Sequence, residues 1–353
     1  MKFKSIIFTM IAAILASGAV FAEEKKDDGP GTLSGKIYLN YNIDLQNSDG
    51  SDKVHGFDLE RIYFTYRKNI SEKFSTRVTM DVYSADFKSY TFNDAVADGG
   101  NGDGVVDANE IEEQTSSRGL FFVKYAYLQY KDKLAGIKTK FQVGQIGNPI
   151  IGLTDKMSGM RWITKNQIDS ANLNNSADLG AKVSLGFFGL ATLTTAYLNG
   201  EGYKYIGGDE NKGKSSDTVL SITPLGKKLL VNGYFKYAKD EDDVQDTQVG
   251  GGIAWVDSKY KAGVNFLYDT ENKNSYLDSW VNVNFKGLVG APVLLMGRFQ
   301  MILPDTGDNT TTFMVGPGYK LHKMIQVAVI FDYSKTGDAD ADYNMSIQSE
   351  FKF

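Results

Sequence analysis

The chain has 353 residues, 42% of them hydrophobic, with 38 Lys and Arg against 43 Asp and Glu for a formal net charge of −5 at pH 7. A mean hydropathy of −0.28 excludes a helical membrane protein, the absence of Cys excludes disulfides and thiolate metal sites, and the acidic balance does not support a nucleic-acid-binding surface. With 37 Gly, 20 Tyr and 21 Phe but only 6 Pro, the composition favours twisted strands and turns over helix bundles.

At the amino terminus, Met1-Lys2-Phe3-Lys4 is a basic n-region and Ile6 to Leu15 an apolar h-region. Val20-Phe21-Ala22 supplies the small residues of a cleavage site, so residues 1–22 are predicted to be a removed secretory signal. Residues 23–31, charged and ending Gly-Pro-Gly, are expected to be a short tail. No later run reaches the roughly 18 apolar residues of a spanning helix. Any membrane embedding of the mature chain must come from strands.

From Leu33 the odd positions Leu33, Gly35, Ile37, Leu39, Tyr41, Ile43 and Leu45 are apolar or small. The even positions Ser34, Lys36, Tyr38, Asn40, Asn42 and Asp44 are polar apart from the amphipathic Tyr38. The same period of two returns at 74–82, 137–143, 179–187, 260–268 and 343–353. Together such segments predict about sixteen strands of about ten residues, the length a tilted strand needs to cross the hydrocarbon layer. Four segments, 57–68, 120–130, 190–198 and 292–303, carry apolar residues on both faces and leave the phase open.

A soluble sandwich alternates too, and connection lengths separate the two cases. Short turns are expected near 69–73, 132–136, 188–189, 223–228, 257–259, 286–291 and 320–324. Longer loops are expected near 46–54, 84–118, 144–177, 199–216, 239–247, 270–275, 304–309 and 335–342. This alternation fits an all-β fold, a transmembrane antiparallel β-barrel over 32–353 with short periplasmic turns and long outer loops. Outward aromatics then fall into two belts, one with Tyr41, Tyr197 and Tyr343, the other with Tyr66, Tyr260 and Phe353. The barrel must close, because lipid cannot satisfy an open sheet edge.

The run Phe141-Gln142-Val143-Gly144-Gln145-Ile146-Gly147-Asn148-Pro149, then Asp155, Gly159, Met160-Arg161 and Ser176-Ala177-Asp178-Leu179-Gly180, resembles the phosphate-selective porins and their relatives. Arg61-Ile62-Tyr63-Phe64, Lys124-Tyr125-Ala126-Tyr127-Leu128 and Asn199-Gly200-Glu201-Gly202-Tyr203 add to the likeness. The resemblance implies a sixteen-stranded outer-membrane porin, a homotrimer whose third loop, 146–177, folds into the lumen. It also implies that Phe353 is the signal read by barrel-assembly machinery, and that lipid and lipopolysaccharide surround the wall. The phosphate label is not carried over, because the dense arginines and lysines of the anion-specific members cannot be located here.

An inward third loop brings Asp155, Lys156, Arg161, Lys165 and Asp169 to the constriction. Strand parity adds Lys36, Arg77, Lys138, Lys140, Lys182, Lys236, Lys261 and Arg298 to the lumen, opposed by acids such as Asp44, Asp81, Asp178, Asp278 and Glu350. A narrow water-filled pore focuses such charges, so one reading is passive diffusion of small hydrophilic solutes and ions with a mild preference for anions. The other is that these groups are solvated and pair with one another.

Within the acidic loop, residues 98–110 resemble an EF-hand-type calcium loop. Asn101 and Asp103 take the third and fifth places, Gly104 the sharp turn, Asp107 the ninth and Glu110 the bidentate twelfth, while Gly99 stands where the first aspartate belongs. A calcium site and a solvated acidic loop both fit. No other cofactor is expected. Hydrolytic chemistry needs a general base, and the two histidines fall at opposite ends, His55 in an outer loop and His322 in a turn, so no enzyme is expected. A surface adhesive or ligand-binding barrel, working through its outer loops, remains the alternative function.

Overall fold

Side chains that alternate between two solvents force extended backbone, and an extended backbone must pair on both sides. The computed structural model describes residues 29–47, 55–92, 111–204, 214–225, 228–239 and 245–353, with backbone alone for 83–92 and 111–119. The predicted signal 1–22 and the calcium-type residues Asn101, Asp103, Asp107 and Glu110 lie outside the described residues. Sixteen strands follow in chain order. They are β1 (Thr32–Gln46), β2 (His55–Asn69), β3 (Phe74–Phe92), β4 (Ile111–Leu134), β5 (Ile137–Gly147), β6 (Ala177–Phe187), β7 (Ala191–Leu198) and β8 (Lys214–Ile222). After them come β9 (Leu229–Lys239), β10 (Gln245–Val256), β11 (Tyr260–Asp269), β12 (Asn274–Asn284), β13 (Val293–Pro304), β14 (Thr310–His322), β15 (Ile325–Thr336) and β16 (Asp342–Lys352).

Each strand pairs antiparallel with its sequence neighbours, and β1 pairs with both β2 and β16, so the sheet is a closed barrel with no edge. The seam is finished by the carboxyl terminus. Gly35 N–H donates to the Phe353 carbonyl at 2.8 Å and Phe353 N–H to the Gly35 carbonyl at 3.2 Å. The Phe353 ring lies over Gly35, where a Cβ would stand 2.1 Å from it, and meets Phe64 edge-on at 5.9 Å. A side chain at position 35 would displace the ring.

Short turns gather at one end of the barrel and long connections at the other. The β4–β5 turn has φ of +49° at Ala135 and +82° at Gly136, a left-handed pair that matches strand twist. At the long-loop end one expectation needs correction. The 84–118 connection is shorter than its acidic, glycine-rich sequence suggests, because β3 continues to Phe92 and β4 begins at Ile111.

Two of the four phase ambiguities are β-bulges. Along β1 and β2 the register steps from Tyr38–Arg61 to Leu39–Leu59, leaving Glu60 extra. Phe57 and Leu59 are therefore exposed on one side of the bulge, and Phe64 and Tyr66, of opposite parity, on the other. Along β3 and β4 the register steps from Thr79–Tyr125 to Met80–Val123, leaving Lys124 extra; Phe121 and Val123 precede it and Leu128 follows. A bulge switches which parity faces outward and turns two successive side chains to the same side. The other two ambiguities have a different cause. In β13 the inner face is itself apolar because the third loop covers it, Leu294 and Met296 packing on residues of the loop, and in β7 Ala196 and Leu198 pack on Ile146 at the end of β5.

Candidate functional site: the loop-narrowed lumen

The long connection between β5 and β6 turns inward because its ends are pinned and its face is oily. Asn148 caps helix α1 (Pro149–Ser158), accepting from the N–H groups of Ile150 and Ile151, and proline fills the first turn. Gly159, at φ 68°, ends the helix in the left-handed region. Asn166 caps a second short helix, α2 (Gln167–Ser170). The Asn148 and Asn174 amides, at the two ends of the loop, both donate to Asp217 on β8, at 2.6 and 2.7 Å.

Between those ends the loop packs on one side of the inner wall. Ile150, Ile151, Ile168 and Leu173 bury against Val219, Tyr234, Leu267 and Tyr276. Met157, Met160, Trp162 and Ile163 bury against Trp280, Leu294, Met296, Met314 and Ile330. Each such side chain contributes about 1.5–3 kcal/mol by leaving water, so the loop is held firmly on β8–β15. Polar stitches fix its register: Gln167 donates to the Met301 carbonyl at 2.8 Å, and Lys236 and Gln248 to the Leu173 carbonyl at 3.0 and 3.1 Å.

Two compartments remain wet, the larger along the short-turn ends of β10 to β16 and the smaller along β1 to β4. A cavity of about 530 Å³ and another of about 360 Å³ meet at Lys36, Tyr38, Asp155, Arg161 and Lys352. That junction, where the loop comes within reach of β1 and β2, is here termed the narrows. Arg161 reaches from the loop to Glu60, the bulge residue of β2, at 3.6 Å, and lies 3.8 Å from both Asp155 and Asp169. Burial opposes its charge, but Tyr63 and the three carboxylates outweigh that and hold the guanidinium above its ordinary value. Burial pushes the Asp155 carboxyl up, against the pull of Arg161 and of the Asn166 amide, which donates to it at 2.7 Å. Burial lowers the Lys165 ammonium.

Beside the narrows the second bulge builds an ion cluster. Asp81 accepts from Arg61 at 3.1 Å, from Lys124 at 3.3 Å and from the Tyr203 hydroxyl at 2.8 Å. Lys124 lies over the Tyr63 and Tyr203 rings at 5.2 and 4.9 Å, a cation–π geometry. Tyr203 belongs to the connection after β7, so a second loop also enters the lumen. Burial raises its phenol pKa, which keeps the hydroxyl a donor.

Of the residues singled out in the sequence, Asp155, Lys156 and Arg161 come together at the narrows, with Lys36. Asp169 joins through Arg161, and Lys165 is partly buried on the same loop. Arg77 lines the smaller cavity, stacked over Tyr125 at 4.2 Å, and Lys261 lines the larger. Lys182 donates to the Gly147 carbonyl at 2.5 Å, and Lys138 and Lys140 lie exposed on β5. Lys236 and Arg298 lie beneath the loop instead of facing open water, neutralised by Asp246 and Asp278. Sequence reasoning gave no lumen role to Glu60, Arg61, Lys124 or Tyr203, although the last three stand in the motifs of the resemblance; the breaks in alternation at 57–68 and 120–130 were a further signal for the first three. His55 opens β2 at the long-loop end, bonded to Tyr41 at 2.9 Å, and His322 closes β14 at the other. Among the described residues no three His, Asp or Glu cluster as a metal site.

No sequence-family model matches the chain, and no curated protein matches it by sequence. Solved structures match by fold. The anion-selective porin from Comamonas acidovorans superposes with a TM-score of 0.62 at 10% identity, covering 92% of this chain and 99% of that one. The outer membrane channel DcaP of Acinetobacter baumannii gives 0.61 at 10% identity, over 94% and 100%. OmpT of Vibrio cholerae in its trimer form gives 0.57 at 11% identity, over 92% and 100%. The chain, a closed barrel of sixteen strands, thus shares the fold of these proteins.

Proposed function

We propose that this protein is a water-filled outer-membrane channel for passive diffusion of small hydrophilic solutes, with a preference for anions. One observation carries the reading. The third loop spends its apolar face on β8–β15 and leaves connected wet compartments beside it, lined by Lys36, Arg77, Lys124, Lys156, Arg161, Lys261 and Lys352. Low-dielectric walls focus the field of those cations into the lumen. The likeness in fold to an anion-selective porin agrees with this.

The exposed rings give the wall a membrane depth. Tyr66, Tyr260, Tyr319 and Phe353 gird the short-turn end, and Tyr197, Tyr237 and Tyr343 the long-loop end. We assign the short-turn end to the periplasm. We further infer kinship with the phosphate-selective porins, since the motifs of that resemblance bracket the third loop: Gly144–Pro149 leads into α1, and Ser176–Gly180 leads out into β6. Trimeric assembly after removal of residues 1–22, with Phe353 as the insertion signal, completes the proposal.

Purified protein in planar bilayers tests it. A potassium chloride gradient should give a reversal potential of anionic sign, and closure should come in three equal steps. A barrel that never conducts, or one that prefers potassium, would refute the reading.

A further inference from the structure

The charges inside the barrel are sorted along its axis by whether they are paired. Mid-barrel and toward the long loops, the inward cations carry a carboxylate, except Lys182, which sits on the Gly147 carbonyl. Arg61 and Lys124 share Asp81, Lys236 holds Asp246 at 2.6 Å, and Arg298 grips Asp278 with two nitrogens. Toward the short turns the pattern inverts. Among the described residues Arg67, Arg77, Lys140, Lys261 and Lys320 have no carboxylate at ion-pair distance, and Lys36 and Lys352 share the single Glu350, at 3.3 and 2.7 Å.

The larger cavity shows the consequence. Seven cations and three carboxylates line it. Each of the three is already engaged: Glu350 by the two lysines, Asp155 by Arg161, and Asp257 by the backbone N–H groups of Lys259 and Tyr260 at 2.7 and 2.9 Å. Lys156, Lys261 and Lys320 are left facing water. Lys261 is held in place, donating to the Lys156 carbonyl at 3.3 Å near the end of α1. At the other end the excess is acidic. Asp178, Asp217, Asp269 and Asp332 lie in the outer halves of β6, β8, β11 and β15 with no cation at ion-pair distance among the described residues. Asp305, Asp308, Asp338 and Asp340 follow on the connections beyond β13 and β15.

We propose that the lumen is electrostatically polarised, acidic at the long-loop mouth and basic at the short-turn mouth, so that it rectifies ionic current and captures multivalent carboxylate anions at the basic mouth. This rests on the channel reading above. The sign follows from elementary electrostatics. With the long-loop side positive, cations are drawn inward from the acidic mouth and anions outward from the basic one, and both fill the lumen. The opposite voltage drains both. Fixed charges act this way only while their fields overlap across the lumen, within a Debye length of about 10 Å at 0.1 M salt and about 3 Å at 1 M. A multivalent anion gains attraction from Lys156, Lys261 and Lys320 at once, whereas chloride pairs with one at a time.

Single-channel recording tests this with the full mature chain. The chain has no cysteine, so a variant with Thr306→Cys, a neutral exposed position at the long-loop end, and an impermeant maleimide report which mouth faces which chamber. At about 0.1 M salt the currents at equal and opposite voltages should differ about twofold, the larger with the long-loop side positive, and become equal near 1 M. Citrate added on the short-turn side should reduce the current at concentrations that have no effect from the other side. The Lys261→Gln/Lys320→Gln variant should lose most of the asymmetry and the citrate block. Lys140→Gln, on β5 and outside the larger cavity, should weaken the asymmetry even if the double variant fails to assemble. Symmetric or reversed rectification at low salt, or asymmetry that survives Lys140→Gln and the double variant, overturns the polarised lumen while leaving the channel reading standing. A total lack of conductance overturns both.

Discussion

The Tyr203 hydroxyl donates to Asp81 at 2.8 Å, tying the connection after β7 to the middle of β3. The bond completes a buried set in which one carboxylate serves Arg61, Lys124 and a phenol, and Tyr203 is only 5% exposed. Tyr203→Phe removes one donor from a buried acceptor and should cost about 1–3 kcal/mol. Because the ring stays, that loss should appear as a lower midpoint in heat-dependent unfolding on gels and as noisier open-channel current. Asp81→Asn strands two cations in the lumen; breaking a buried pair this way costs about 3–5 kcal/mol, and the reversal potential should move further toward anions. An unchanged midpoint in both variants would mean the cluster does not hold the loop.

Trp162 offers a test of the loop's docking that leaves the wall untouched. It is 4% exposed and packs among Met160, Trp280, Leu294 and Met296, all on the loop or the inner wall. Truncating a buried Trp costs about 3–5 kcal/mol. The strand ladder does not depend on that contact, so the cost should fall on the loop. Trp162→Ala should raise single-channel conductance while barrel unfolding stays near that of the parent.

Protonation of Asp155 should tune selectivity. Burial raises its carboxyl, and it is opposed first by Arg161 and then by Asn166. As pH falls through that raised value, Asp155 loses its negative charge before exposed carboxylates do, while Arg161 stays cationic. The narrows become more positive, so anion preference should strengthen with acidification. The linkage to stability has the same origin: burial favours the protonated carboxyl, so its contribution is fully present at low pH and is lost as pH rises through the folded value. Asp155→Asn should show the strengthened preference already at neutral pH, with a flatter pH profile. Reversal potentials measured across pH decide it.

The closed barrel was legible in the sequence because two solvents impose a period of two, and because turns and loops of unequal length mark the two ends. Gly250-Gly251-Gly252 illustrates how far this reaches: the glycines lie within β10, paired with Asn232, Gly233 and Tyr234 on β9, as their alternating flanks suggest. The electrostatics were legible only in part. Parity places Lys236 and Arg298 inside as correctly as Lys36, but parity cannot say that a loop lies over the first two. Tyr203 left no periodic trace at all, since it belongs to a connection and meets Asp81 only through the closure of the barrel.

The bulge at Glu60 yields the sharpest test of how the wall builds the narrows. Leu59 faces outward and Arg61 is buried inward, so Glu60 is the one residue that breaks alternation between them. Deleting Glu60 would join Leu59 directly to Arg61, restoring an unbroken inward–outward pattern through β2 without moving any apolar side chain into the lumen. The deletion variant should therefore insert and show the heat-modifiable gel shift of a closed barrel, which is unusual for a single-residue deletion in mid-strand. What it should lose is the 3.6 Å tether to Arg161. Freed from one of its three carboxylates, Arg161 should make the narrows more attractive to anions, and Glu60→Gln should reproduce that change with the bulge intact. If the deletion prevents assembly while Glu60→Gln folds normally, the bulge serves the geometry of the wall, and the charge it presents is secondary.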